Sequence, residues 1–164
     1  MDVSQPRVLV AGIGNVFRTD DGFGSAVARR LAGLPWPDGV RVVDYGIRGM
    51  HLAYDLLDRW DLLIMVDALP ERARVGEVVV IEIGRDDVVG SSQVDAHAMD
   101  PASVLAGLAA LGGRPPERTL LVGCPVAETG DGMELTPPIE AAVDRAVGVV
   151  RSLVADGLRP TEVA

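Results

Sequence analysis

Between an apolar run, Val8-Leu9-Val10-Ala11, and an amphipathic one, Ala26 to Leu34, lies the loop Gly12-Ile13-Gly14-Asn15-Val16-Phe17-Arg18-Thr19-Asp20-Asp21-Gly22-Phe23-Gly24. A strand that turns straight into a helix through glycines is the opening unit of an α/β sheet. In nucleotide-binding versions the loop aims its backbone N–H groups at an anion. Here two adjacent aspartates stand at the mouth of the helix, where they would repel a phosphate and suit a cation. Phe17 also takes the place of the third glycine of Gly-x-Gly-x-x-Gly. The loop therefore points to a metal or a positively charged partner, and away from NAD or ATP.

The rest of the chain continues the pattern. Apolar runs without alternation mark strands buried on both faces, as in a parallel sheet. Arg7 to Gly12, Val40 to Asp44, Leu62 to Val66, Glu77 to Ile83 and Thr119 to Gly123 read as five strands. A helix is predicted from Gly24 to Leu34, with Phe23, Val27 and Leu31 on one side, and another from Gly49 to Arg59, with Leu52, Leu56 and Leu57 inward. Asp100-Pro101 and Thr136-Pro137 each set a capping residue before a proline at the first helical position. The helix after Asp100 runs to Leu111; the one after Thr136 buries Ile139, Val143, Val147, Val150 and Val154 on one face and ends at Asp156-Gly157. Gly84 to Met99 reads as a long polar loop. Leu69 to Gly76, between strands three and four, is shorter than the dozen or so residues of a parallel crossover. Strand four is therefore expected to be antiparallel, at an edge. The expected fold is a three-layer α/β/α sandwich, a mostly parallel five-stranded sheet with one antiparallel edge strand.

Composition narrows the function. A chain of 164 residues suits one domain, residues 1–164, with a core from about residue 7 to 155 and a loose C-terminal tail. The formal net charge is −9, and all 15 basic residues are arginine. That sign repels phosphate backbones and argues against nucleic acid. No apolar run approaches the roughly 20 residues of a membrane span. Met1 to Pro6 lacks the basic start and apolar segment of a signal peptide. The single cysteine, Cys124, has no internal disulfide partner. Together these features favour the cytoplasm and no membrane partner.

In parallel sheets, sites form beyond the carboxyl ends of the strands. Asp20 and Asp21 follow strand one, and Asp67 closes strand three. A helix feeding a parallel strand starts at that same edge, so the helix start at Asp100 should share the rim, with His97 beside it. Two carboxylates and an imidazole can bind a divalent transition ion with positions left open. They can equally serve as a general base and its partner. Neither Cys-x-x-Cys nor His-Glu-x-x-His is present.

At this point the residues resemble a known family. Gly12-x-Gly14-Asn15 with Asp20-Asp21-Gly22-x-Gly24 resembles the opening signature of the hydrogenase maturation proteases. Asp44-x-Gly46 with Gly49 resembles their second glycine turn, and Leu63-Ile64-x-x-Asp67-Ala68 the strand that carries a metal-binding aspartate. His97 falls where the family has its histidine. Val122-Gly123, Pro125, Glu128 and Leu135-Thr136-Pro137 resemble its C-terminal third. The resemblance spans roughly residues 7 to 155 in the family's order. It implies an aspartyl-type endopeptidase that removes the C-terminal extension of a nickel–iron hydrogenase large-subunit precursor. It also implies that nickel, carried by the precursor rather than resident, is the recognition element. The catalytic and metal-meeting residues would be Asp21, Asp67 and His97, in a monomer. A precursor- or nickel-binding chaperone on the same fold, without catalysis, is the alternative.

Other residues have plainer expectations. Asp20 suits a helix N-terminus, where the dipole favours it by about 0.3–1 kcal/mol. His51 is expected on a helix surface, and Cys124 as a small buried residue. Arg48 stands in a turn that reads Asp44-Tyr45-Gly46-Ile47-Arg48-Gly49, where relatives often have Asp-Gly-Gly-Thr. It is either solvated or poised to touch a substrate carboxylate.

Overall fold

The structure, a computed structural model, describes residues 4–70, 74–84, 100–127 and 129–159. Five strands, β1 (Val8–Ile13), β2 (Val40–Gly46), β3 (Leu62–Leu69), β4 (Val79–Ile83) and β5 (Arg118–Pro125), form one sheet in the order β2-β1-β3-β5-β4. β1 is buried along its whole length, as a continuous apolar run between two helical layers should be. β2, β1, β3 and β5 are mutually parallel. β4 runs antiparallel to β5 at the edge, as the short connection requires. The Gly76 N–H closes that connection by donating to the Pro125 carbonyl at 2.9 Å.

Among the described residues four helices cover the sheet: α1 (Phe23–Ala32), α2 (Gly49–Asp55), α3 (Pro101–Ala110) and α4 (Pro137–Gly157). Alternate side chains of each strand feed opposite faces. Val8, Val10, Ile64, Val66 and Val122 pack with α1 and α4. Leu9, Ala11, Leu63, Met65 and Leu121 pack with α2 and α3. Each fully buried side chain of this kind stabilises by roughly 1.5–3 kcal/mol. α4 buries Ile139, Ala142, Val143, Ala146, Val150 and Val154, while Val147 sits half-buried at the margin of that face. Aromatics are few, and the two indoles act as fasteners. Trp36 donates to the Leu31 carbonyl at 2.8 Å and Trp60 to the Asp55 carbonyl at 2.9 Å.

One close approach sets the site. A Cβ on Gly24 would fall on the carbonyl oxygens of Ile13 and Val66, and one on Gly12 would meet Ala28 and the Gly24 carbonyl. The glycine pair lets α1 lie directly against β1 and β3, which holds its N-terminal loop at the carboxyl edge of the sheet.

Most boundaries shift by one or two residues from expectation, and those of α2, β3 and β5 have clear causes. α2 stops at Asp55 instead of Arg59. Its last turn tightens as Leu57 N–H bonds Tyr54 and Asp58 N–H bonds Asp55, and Leu57 is left 49% exposed rather than inward. β3 and β5 each run past their expected ends because pairing continues through Asp67–Gly123, Ala68–Cys124 and Leu69–Pro125. Asp67 is thus inside β3 and does not close it. The long loop, Glu128 and the tail from residue 160 lie outside the described residues. No helix among the described residues is long and apolar enough to cross a membrane.

Candidate functional site

The chain leaves β1 through α1 to reach β2 on one side, then crosses through α2 to β3 on the other. Strand order therefore reverses between β1 and β3, and the loops beyond their carboxyl ends part. A cleft of about 720 Å³ opens there. Its walls carry Asn15, Arg18 and Asp21 from the first loop, Ile47 after β2, Asp67 on β3, and Asp100 at the start of α3.

Short hydrogen bonds fix the first loop. The Asn15 Oδ1 accepts from the Phe17 N–H at 3.0 Å. The Asn15 and Asp21 N–H groups donate to the carbonyls of Asp21 and Arg18 respectively, each at 3.1 Å. Asp21 sits in a single 3₁₀ turn, Thr19–Gly22, that feeds α1. Thr19 has φ 47°, the left-handed region, and is the one non-glycine residue there among the described residues. That conformation costs about 1–2 kcal/mol.

The two adjacent aspartates divide the work. Asp20 is 1% exposed and turns away from the cleft. Its carboxylate accepts from the Thr136 N–H and from the Thr136 hydroxyl, both at 2.7 Å. It does serve a helix start, but that of α4 rather than its own. Asp21 faces the cleft and is half-buried.

Asp67 is the most perturbed group of the site. Burial pushes its carboxyl well above the ordinary value of 3.8, and the negative charges of Asp21 and then Asp100 push the same way; a hydrogen bond from the Ala68 backbone opposes them. A buried carboxylate facing two others has lost water and gained repulsion. A cation beside Asp67 would relieve both, and Asp21 and Asp67 are carboxylate donors of the kind a divalent ion takes.

The structure thus brings Asp21 and Asp67 together, with the α3 start on the same rim as helix direction predicts. His97 lies outside the described residues. Among the described residues no three His, Cys, Asp or Glu side chains form a metal-holding group. Two further cleft residues were not singled out from sequence. Asp100 was legible only as a helix cap, which it is: it accepts from the Ser103 N–H at 2.7 Å. Arg18 donates from Nε to the Thr129 carbonyl at 3.0 Å, a contact across 111 positions that no local signal announces. Arg48 is solvent-exposed but tethered. Its Nε and Nη2 bond the carbonyls of Tyr45 and Asp44 at 3.1 and 2.8 Å, closing the end of β2. His51 is exposed on α2. Cys124 is buried, as expected, and burial raises its thiol pKa, which disfavours the nucleophilic thiolate.

The sequence profile of the hydrogenase maturation proteases matches residues 26–153. The chain belongs to that family. Among relatives of this maturation protease, hydrogenase expression/formation protein HupD of Rhodobacter capsulatus is 36% identical over 95% of this chain and 75% of its own length. Hydrogenase expression/formation protein HupM of Azotobacter chroococcum mcd 1 is 35% identical with the same coverage. The hydrogenase 2 maturation protease of Escherichia coli is 30% identical over 86% of each chain. A solved structure of the hydrogenase maturating endopeptidase HybD from E. coli superposes with a TM-score of 0.77, at 28% identity, over 92% of this chain and 93% of that one. This maturation protease is therefore a peptide-bond hydrolase with the α/β fold of its relatives.

Proposed function

We infer that this protease removes the C-terminal extension of a nickel–iron hydrogenase large-subunit precursor, and that it does so only when the precursor carries nickel. The observation that supports this is Asp67, a buried carboxyl beside Asp21 in a cleft of about 720 Å³. Nickel arriving with the precursor would meet Asp21, Asp67 and His97. An ion held there polarises a carbonyl or water beside it. A carboxylate oxygen not engaged by the ion can accept the proton of the attacking water. Water adds to the scissile carbonyl, its proton passes to the carboxylate, and the proton leaves on the new amine as the C–N bond breaks. The cation substitutes for the proton that Asp67 otherwise favours, so an empty precursor leaves the site unengaged. One copy of the chain supplies every group invoked, and the cytoplasm, where thiols stay reduced, is the compartment proposed.

The test is a cleavage assay on purified precursor, with and without nickel, followed by mass spectrometry. Loss of a C-terminal peptide from loaded precursor alone is expected. Asp21→Asn, Asp67→Asn and His97→Ala should each lower the rate by about 100-fold or more with far-UV circular dichroism unchanged. Wild-type rates in all three would sink the site assignment. An intact precursor that co-purifies with the protein would replace the protease reading with that of a binding chaperone.

A further inference from the structure

Two large apolar side chains stand beside the cleft without lining it. Phe17 is 65% exposed and Met133 is 70% exposed, and neither belongs to the cleft wall. Scattered exposed apolar residues are ordinary on protein surfaces. These two stand on the loops that also give Arg18 and Thr129 to the cleft wall, and both loops are fixed. The Gly132 N–H donates to the Phe17 carbonyl at 3.0 Å, and the Thr19 N–H to the Gly132 carbonyl at 2.7 Å. Arg18 and Gly132 form an isolated parallel bridge, and the Arg18 Nε reaches Thr129. The Phe17 N–H is itself fixed by Asn15, and the left-handed Thr19 follows two residues on. Two loops far apart in sequence are therefore joined into one rim, with a large apolar side chain on each. Such fixing lowers the ordering cost of a contact made there.

Position indicates what that contact meets. Chain delivered into the cleft touches the cleft wall, including Ile47, which is 58% exposed. Whatever that chain hangs from meets the rim outside. Resting on the precursor-processing role inferred above, we propose that Phe17 and Met133 are a docking contact for the folded body of the large-subunit precursor, on an apolar surface beside the root of its extension.

The test compares wild type, the double variant Phe17→Ser/Met133→Ser and the conservative pair Phe17→Leu/Met133→Leu. Both positions are exposed, so thermal melts of all three should coincide. With nickel-loaded precursor, the serine pair should raise KM by about tenfold or more while kcat stays within about twofold, and the leucine pair should restore most of the KM. Calorimetric titration with large subunit that lacks the extension reads docking without cleavage. The serine pair should weaken that binding by about tenfold as well. An unchanged KM, or unchanged binding of the extension-free subunit, would overturn the docking contact. A wild-type protein that binds but does not cut loaded precursor would overturn the processing role and leave the titration to decide the docking. Failure to bind either form would overturn both.

Discussion

Asp67 is destabilising where it is useful. Its carboxyl is held well above the usual 3.8, by burial first and by Asp21 and Asp100 after it. The folded protein therefore binds that proton more tightly than the unfolded chain does. The resulting stabilisation is complete below about pH 3.8 and is lost as the pH rises through the raised folded value. Above that raised value the ionised group opposes folding. Asp67→Asn keeps the shape without the charge, so it should melt above wild type at pH 7, with the difference shrinking towards pH 4, while cleavage is lost. Melting curves at several pH values check this; a variant that melts lower than wild type at pH 7 would contradict it. Adjacent residues also teach how far sequence reaches. Asp21 and Asp67 were legible because loop and strand ends must share one edge. The partner of Asp20 was not, because Thr136 stands 116 positions away and only the packing of α4 on α1 brings it near.

At the scale of elements, that same bond ties the 3₁₀ turn of the first loop to the start of α4. Hydrogen bonds to an ionised acceptor contribute about 1.5–3 kcal/mol each, and the Thr136 N–H would be left without its acceptor. Asp20→Ala should therefore cost about 2–4 kcal/mol, seen as a lower urea midpoint with an unchanged slope. Asp20→Asn, which keeps an acceptor, should lose less. Equal midpoints for Asp20→Ala and wild type would remove the tie from the account. The elements themselves were largely legible, since apolar period, caps and one short connection gave their order and the antiparallel β4. Their ends were less so. β3 and β5 lengthen because each offers the other a ladder partner, and no single segment carries that information. α2 shortens because its last turn tightens and Trp60 takes the Asp55 carbonyl. Arg48, a departure from the family's turn, proves to be a brace for β2.

At the scale of the molecule, two cores share one sheet. Trp36 packs against the α1–α4 side, and Trp60 is buried on the α2–α3 side. Because each strand donates side chains to both, neither side should melt alone. Trp36→Phe leaves a probe of one side and Trp60→Phe a probe of the other. In each variant the fluorescence and far-UV midpoints in urea should coincide. A separation in either would mean that the two layers unfold independently and that the chain is not one cooperative unit.

The order of the elements also bears on synthesis. The five strands described all precede residue 126, while α4, which shares the cover of one face with α1 and carries the Thr136 anchor for Asp20, comes after them. A ribosome releases Asp21 and Asp67 well before it releases α4. During that interval the nascent chain has its acidic groups but neither the α4 share of the cover over one face nor the tie that holds the first loop. The site is thus complete only once α4 has emerged, and a copy that stops short of it carries Asp21 and Asp67 without the tie that holds their loop.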